Sequence, residues 1–381
     1  MRATLDFEFI PLIDNHCHAV VRDQNIQDIN VWLGCFTEGR EGMSPGHVRT
    51  TAFVRRLVAR LATFFDCEPT PEAVFAARQS RDGEQLIAAV FDPTNTDTLV
   101  IDEGLPSKDV AIPNKDFTRI TGVRTASLLR LELLMQDLIA QHHRFEDVEN
   151  ALRDELRDVR SRGFVGLKSI AAYRTGLAIG PHASNLILAA FRAARTEVER
   201  GRRLRLEHKP LLDTLLIIAF EEAARQELPV QFHTGYGDTD ADMLLANPLH
   251  LRWVLENPAF RGMKTVLLHE SYPYTRQAGY LCAVYDQVFM DLSYAIPYLS
   301  VGAMREFTRE ALGVAPTSKL LYASDAVLLP EFYWLSATDG RRVLADAITE
   351  LVADGDLARQ DAEAVGQAVL NRNAARLYGL A

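Results

Sequence analysis

Six residues with metal-binding or catalytic side chains each follow a short apolar stretch of this 381-residue chain. They are His16, His18, Lys168, His233, His269 and Asp325. Such apolar stretches are typical of buried strands, which cannot easily hold imidazoles, so the polar residues at their ends are expected to meet at one mouth. Imidazole, carboxylate and a modified lysine are the ligands that a hydrolytic zinc or manganese site uses.

Each of these residues taken alone has an ordinary structural explanation. His16 and His18 are one residue apart, a spacing that places both side chains on one face of a strand. A single pair of this kind is weak evidence, and His233 or His269 alone would more often be a hydrogen-bonded core histidine. Asp325 alone could cap a helix. The joint pattern, in one order along the chain, is what indicates a metal site.

Eight apolar runs predict eight strands. The runs are Leu12–Asn15, Thr98–Ile101, Ala126–Leu129, Phe164–Leu167, Pro229–Phe232, Thr265–Leu268, Val288–Ser293 and Leu320–Ser324. Helical patterns separate most of them, at 145–162, 182–202, 211–226, 248–256 and 304–312, with further helices in 351–377. This alternation predicts an α/β fold, a (β/α)8 TIM barrel with its site at the carboxyl ends of the strands. A doubly wound open sheet is the alternative, but it would not gather these side chains around one point.

The connection at 19–97 is far too long for a simple loop between a strand and a helix. Helical patterns at 48–65, 71–80 and 83–91 predict an ordered helical insertion within a single domain that covers 1–381. An insertion above the catalytic face could form a lid, and an oligomer contact is the alternative role.

Composition narrows the classes of partner and the cellular location. The net charge of −10 argues against nucleic acid and anionic membranes, and no apolar run reaches the roughly 18 residues of a membrane span. A small-molecule substrate is therefore the expected partner, with a homo-oligomer left open. Residues 1–6 show no signal-peptide pattern, and the cysteines lie far apart without a Cys-x-x-Cys pair, which favours the cytoplasm.

The ordered ligand set resembles the amidohydrolase superfamily, whose members are metal-dependent (β/α)8 hydrolases, with some decarboxylases and isomerases. The tail Asn373–Leu380 is similar to the terminus of the amidohydrolase-related (ACMSD-like) branch. The stretch from Lys168 to Leu177 resembles the amidohydrolase domain that is fused to a glutamine-synthetase-like domain in nodulin- and FluG-type proteins.

This resemblance implies roles for the six residues. His16, His18 and Asp325 would hold one divalent ion, zinc or manganese, and Asp325 would also be the catalytic base. His233 and His269 would hold a second ion, or one of the two would contact the substrate, which makes His269 a catalytic candidate as well.

Lys168 and two arginines have more than one reading. A carbamylated Lys168 would be an anion that bridges two ions, whereas the unmodified amine would bind a substrate carboxylate. Arg130, Tyr173 and Arg174 are predicted to bind substrate, and a guanidinium pairs well with a carboxylate. A salt bridge at the rim is the alternative for either arginine.

Five further polar residues lie near strand ends, where they could contact substrate or hydrogen-bond the imidazoles: Glu132, Glu270, Tyr272, Asp291 and Tyr294. The functional hypothesis is hydrolysis of a C–N amide bond in a small carboxylate-bearing substrate, and the glutamine-synthetase association suggests a γ-glutamyl amide. Non-oxidative decarboxylation of a small carboxylic acid is the first alternative, and a non-catalytic metal-binding barrel is the second.

Overall fold

The chain folds into a barrel of eight parallel strands surrounded by helices, and the computed structural model describes residues 5–22, 26–39, 42–293 and 298–380. The strands are β1 (Leu12–Cys17), β2 (Thr96–Asp102), β3 (Arg124–Arg130), β4 (Phe164–Ser169), β5 (Pro229–Phe232), β6 (Lys264–Leu267), β7 (Val288–Asp291) and β8 (Leu320–Leu321). Each strand pairs in parallel with the next one along the chain. The predicted strands and their order are confirmed.

The barrel closes between β8 and β1. The Asp325 N–H donates to the His16 carbonyl oxygen at 3.0 Å. On β1, the Asp14 carboxylate accepts hydrogen bonds from the backbone N–H and the hydroxyl of Ser324, at 2.9 and 2.5 Å. This seam brings the last predicted ligand beside the first two, and it confirms the (β/α)8 barrel.

The described part of the long connection between β1 and β2 carries five α-helices: α1 (Ile29–Gly34), α2 (Pro45–Val48), α3 (Ala52–Phe65), α4 (Pro71–Gln79) and α5 (Gly83–Phe91). A polar side chain before each helix accepts hydrogen bonds from its first N–H groups, as N-caps do: Asp28, Ser44, Thr51, Thr70 and Asp82. The predicted helical patterns in this connection are therefore real helices. Their use as a lid stays a prediction.

The remaining helices follow the later strands. They are α6 (Asn114–Thr121), α7 (Leu131–Gln141), α8 (Phe145–Leu156), α9 (Ser184–Glu199), α10 (Lys209–Arg225), α11 (Arg252–Glu256), α12 (Thr275–Val284), α13 (Val301–Val314), α14 (Pro330–Asp354), α15 (Ala362–Gln367) and α16 (Asn373–Tyr378). The sequence pattern does not predict the first part of α14. This helix is buried over most of its surface and includes buried Glu331, Asp339 and Arg341, so it lacks a polar face with helical spacing.

Ion pairs join the insertion to α14. The Arg78 side chain on α4 contacts Glu331 at 2.5 Å, and both residues are almost fully buried. Arg56 and Arg60 on α3 contact the buried carboxylate of Asp339, at 2.9 and 2.6 Å. The insertion is thus attached to the barrel through charges that are shielded from water. Among the described residues, no helix combines the length and the apolar character that a bilayer crossing requires.

Replacing Arg78 with Met should destabilise the protein by about 3–5 kcal/mol, because it leaves the buried Glu331 carboxylate without its partner. Arg119→Met is the matched control, since the Arg119–Glu84 pair is exposed and should contribute little. Chemical unfolding followed by circular dichroism measures both variants. Equal losses in the two variants would contradict the role assigned to the buried pair.

Candidate functional site

A cavity of about 390 Å³ opens at the carboxyl ends of the strands. His18, Lys168, His233, His269 and Asp325 all line it. They come from the ends of β1, β4, β5, β6 and β8, so the sequence-predicted residues meet at one point. The barrel brings them together because its parallel strands all end at the same face.

Asp325 is the centre of the cluster. Its Oδ1 lies 3.4 Å from His16 Nε2 and 3.6 Å from His18 Nε2. Its Oδ2 lies 3.2 Å from His269 Nδ1. The His233 ring is 4.5 Å from the His269 ring, measured between centroids. One carboxylate therefore contacts three imidazoles, and the fourth imidazole lies directly behind them.

Two of these residues have strained backbones. His269 and Asp325 have φ values of 65° and 50°, in the left-handed region that side chains other than glycine rarely adopt. Such conformations cost about 1–3 kcal/mol and persist where the surrounding structure holds them. The Asp291 carboxylate accepts the His269 N–H at 2.8 Å. Backbone conformation at this site is thus held by specific hydrogen bonds.

Asp102, at the end of β2, belongs to the site although it was not predicted. The atoms of His16, His18 and Asp102 that could bind a metal ion lie within 4.8 Å of one another, as do those of His16, His269 and Asp325. Burial would raise the pKa of Asp102, but the charges of Arg130 and Lys168 lower it well below its usual value. The available signal was an acid placed directly after an apolar strand, the same signal that identified Asp325.

The protonation states of the clustered side chains suit the binding of a divalent ion. Burial lowers the pKa of His16 and His233 well below the usual value, and it lowers that of His269 to about 4, so the three imidazoles are neutral at pH 7. Burial would raise the pKa of Asp325, but His269 and hydrogen bonds from His16 and His18 hold it well below its usual range. Neutral imidazoles and an ionised carboxylate are metal ligands. His233 Nε2 is also buried without a hydrogen-bond partner among the described residues.

Lys168 lies among these potential metal ligands. Its Nζ is 3.1 Å from His16 Nε2 and 3.8 Å from Asp102 Oδ2. Burial lowers the pKa of Lys168 to about 8, with a further decrease from Arg130 that is opposed by the attraction of Asp102. The amine is therefore neutral in a substantial fraction of molecules near pH 8.

The two predicted substrate-binding arginines have different surroundings. Arg130 Nε donates to both oxygens of Asp102, at 3.1 and 3.2 Å, and its Nη1 donates to the Gly104 carbonyl at 3.3 Å. Arg174 donates to the Tyr173 carbonyl oxygen at 3.4 Å, and its Nε is buried without a hydrogen-bond partner among the described residues. Both guanidinium groups line the cavity, and that of Arg174 has more unused donors than that of Arg130.

Two of the other strand-end residues, Glu132 and Asp291, support the site through hydrogen bonds. Glu132 accepts hydrogen bonds from the Ser169 hydroxyl and the Ile170 N–H, at 2.7 and 2.9 Å, so it shapes the loop after β4. Asp291 supports His269, and Glu270 is buried. Tyr294 lies outside the described residues. The cavity wall also includes residues that the sequence did not single out, because they lie outside the strands and carry no strand-end signal: Glu38, Arg205, Tyr236, Asp238 and Tyr298.

A family model described as amidohydrolase matches residues 144–380. The chain therefore belongs to the amidohydrolase family, as the resemblance in its sequence predicted. Protein fluG of Emericella nidulans is 30% identical over 402 aligned residues, which cover 97% of this chain and 46% of that protein. The chain thus spans about half the length of the curated relative that it matches.

Solved structures agree with this assignment. A Lactobacillus casei protein that is assigned as a metal-dependent hydrolase superimposes with a TM-score of 0.88 at 29% identity, over 99% of this chain and 98% of that one. Uronate isomerase of Thermotoga maritima superimposes with a TM-score of 0.67 at 14% identity, over 97% and 95% of the two chains. At that identity the second comparison shows the fold alone.

Gly237→Ala should weaken metal binding at least roughly tenfold while the fold is kept. A Cβ at Gly237 would collide with the Tyr173 hydroxyl and would lie 2.9 Å from His233 Nε2. Tyr173 cannot easily move aside, because its ring packs on His233 with 4.2 Å between centroids. Chelator competition measures the affinity.

Gly180→Ala is the control for this substitution, since a Cβ there meets nothing within 4 Å. Its metal affinity should equal that of the unmodified protein. Equal affinities in Gly237→Ala and Gly180→Ala would show that the Tyr173–His233 contact does not shape the site.

Proposed function

We propose that the protein is a metal-dependent hydrolase that cleaves a C–N amide bond in a small carboxylate-bearing substrate. The observation that carries this proposal is one cavity that contains both a candidate metal site and a candidate site for an anion. Imidazoles surround the ionised Asp325 at its base, and the Arg174 guanidinium with unused donors lies on its wall. The assignment given to the Lactobacillus casei protein supports the metal-dependent hydrolase part.

The metal would be held by His16, His18, His269 and Asp325, with His233 beside them. When bound, a divalent ion supplies Lewis-acid activation of water and polarisation of a carbonyl group. A site rich in histidine suits zinc, and added carboxylates suit manganese, so we propose one or two ions of either kind.

Asp325 would serve as general base in this reaction. Its carboxylate is ionised, and it faces the cavity in which the substrate carbonyl carbon must lie. It would take the proton from the attacking water and return it to the leaving amine, so that the amide yields a carboxylate and an amine.

Lys168 is proposed to be carbamylated in the active protein. Only the neutral amine reacts with CO2, and a pKa of about 8 provides a neutral fraction at ordinary pH. Carbamylation would also replace a cation beside His16 with an anion, which suits a site that binds a second metal ion. Mass spectrometry under CO2 and a metal-loaded structure would test this state.

Arg174 would bind the substrate carboxylate. Burial and the nearby Arg205 lower its pKa, which indicates a guanidinium that an anion would stabilise. Arg130 is a weaker candidate, because Asp102 and Gly104 already use most of its donors. The resemblance of Lys168 to Leu177 to a domain fused with glutamine-synthetase-like domains makes γ-glutamyl amides the first substrate class to test.

The experiment is turnover of a panel of γ-glutamyl amines and other N-acyl amino acids by the metal-loaded protein. Amine release that stops with a chelator and returns with zinc or manganese supports the proposal. Turnover of other N-acyl compounds alone would reject the γ-glutamyl part. Release of CO2 without an amine would instead identify a decarboxylase. The four free thiols support the cytoplasm as the proposed location.

Asp325→Asn should lower kcat by roughly 100- to 10,000-fold, because an amide cannot accept the proton of water. The fold should be kept, since asparagine is nearly isosteric and tolerates the left-handed conformation at this position. Steady-state kinetics and circular dichroism check both points. Asp154→Asn, at an exposed ion pair on α8, is the control. An unchanged kcat in Asp325→Asn would refute the assigned base.

Arg174→Ala should raise KM by roughly 10- to 100-fold through loss of a charged hydrogen bond to the substrate, with kcat much less affected. Metal content, measured by atomic absorption, should stay the same. Arg157→Ala removes an exposed guanidinium elsewhere and should leave KM unchanged. Loss of metal from Arg174→Ala would show that this arginine supports the site rather than the substrate.

A further inference from the structure

The C-terminal helix α16 is part of the barrel interior. Ala374 and Tyr378 are fully buried, and they pack with a cluster of inward-facing strand residues: Ile13, Val100, Leu128, Val266, Leu268 and Leu321. Gly166 on β4 lies beside the tyrosine, and the atom that a Cβ there would meet most closely is the Pro229 carbonyl oxygen, at 2.8 Å. The tail that resembles the terminus of its family branch therefore fills space inside the barrel.

The hydroxyl of Tyr378 joins two strands that carry metal-site residues. It donates to Asn15 Oδ1 at 2.7 Å and accepts from Gln231 Nε2 at 2.8 Å. Asn15 directly precedes His16, and Gln231 lies two residues before His233. The same Gln231 amide also donates to the Asn15 carbonyl oxygen at 2.8 Å. The hydroxyl thus orients the Asn15 side chain in a buried layer directly below the site.

Asn15 connects Tyr378 to His269 through further hydrogen bonds. Its Nδ2 donates to Asp291 Oδ2 at 3.0 Å. Asp291 Oδ1 accepts the His269 N–H at 2.8 Å and the Ser293 hydroxyl at 2.9 Å. The Ser293 hydroxyl in turn lies 3.1 Å from His269 Nδ1. Asp291 therefore holds both the backbone and, through Ser293, the ring of His269.

We propose that Tyr378 is a positioning residue of the metal site, acting through Asn15 and Asp291 on His269. His269 needs such support, because its backbone is in the left-handed region and relaxes unless its N–H is held. The relevant group is the hydroxyl, since the ring could fill the same space without orienting Asn15. This inference rests on the proposed metal-binding function and adds to it a residue of α16 in the layer below the site.

Tyr378→Phe tests the proposal, because it removes the hydroxyl and keeps the ring. We expect the Kd for Zn2+ in chelator competition to rise about tenfold, the size typical of losing an outer hydrogen-bond partner of a ligand. We also expect the His269 amide of the metal-free protein to exchange with deuterium at least about tenfold faster. Tyr322→Phe is the control, since the buried Tyr322 hydroxyl has no hydrogen-bond partner among the described residues. Both quantities should be unchanged in the control.

A double variant tests the route. If the effect passes through Asn15, Tyr378→Phe should add little to the loss of affinity caused by Asn15→Ala. Should Tyr378→Phe fail to fold, Asn15→Ala with the same two measurements breaks the chain of hydrogen bonds one step nearer to His269.

Three results would overturn the proposal: unchanged affinity and exchange in Tyr378→Phe, equal effects in Tyr322→Phe, or additive losses in the double variant. The two readouts also separate this proposal from the proposed function. If the unmodified protein binds no divalent ion, the proposed function fails, whereas faster exchange at His269 would still show the connection to Tyr378.

Discussion

The seam between β1 and β8 is the constraint on which the rest of the structure depends. β8 has only two residues in the sheet, so its attachment to β1 relies on a few backbone bonds and on the Asp14 carboxylate. Burial raises the pKa of Asp14 to about 7 despite the hydrogen bonds from Ser324. A buried carboxyl group is costly unless it is hydrogen-bonded. The hydrogen bonds from Ser324 offset this cost. The closure of the barrel that they support places Asp325 against His16 and His18.

The two ionised carboxylates of the site, Asp102 and Asp325, each lie beside groups that stabilise their negative charge. Asp102 is ionised because Arg130 and Lys168 face it, and Asp325 is ionised because imidazoles surround it. His16, His233 and His269 are neutral because burial lowers the pKa of each imidazole. The same burial therefore has opposite consequences for the two residue types, and a site of neutral bases and ionised acids results. Such a group of ligands attracts a cation.

The base and the wall of the cavity are built by different parts of the fold. Its base comes from strand ends, which the barrel holds rigidly and which the layer of Asn15, Gln231 and Asp291 supports from below. Its wall comes from loops, including the helical insertion that Arg78 and Glu331 connect to α14. Loops vary without disturbing the barrel, so family membership defines the chemistry of the base better than the substrate that the wall selects.

The sequence by itself determined the eight strands and their order and predicted six residues of the candidate site, because a buried parallel strand is a continuous apolar run whose end is marked by a polar residue. Only the tertiary structure decided which polar groups pair. Arg130 was expected to bind substrate, with a salt bridge as the alternative, and its guanidinium both lines the cavity and pairs with Asp102. Helix α14 has no amphipathic pattern because it is buried by partners distant in the chain. Asp291 and Tyr378 likewise gain their roles from hydrogen bonds across the barrel. Such contacts depend on distances between side chains from separate strands, and no local pattern of residues encodes them.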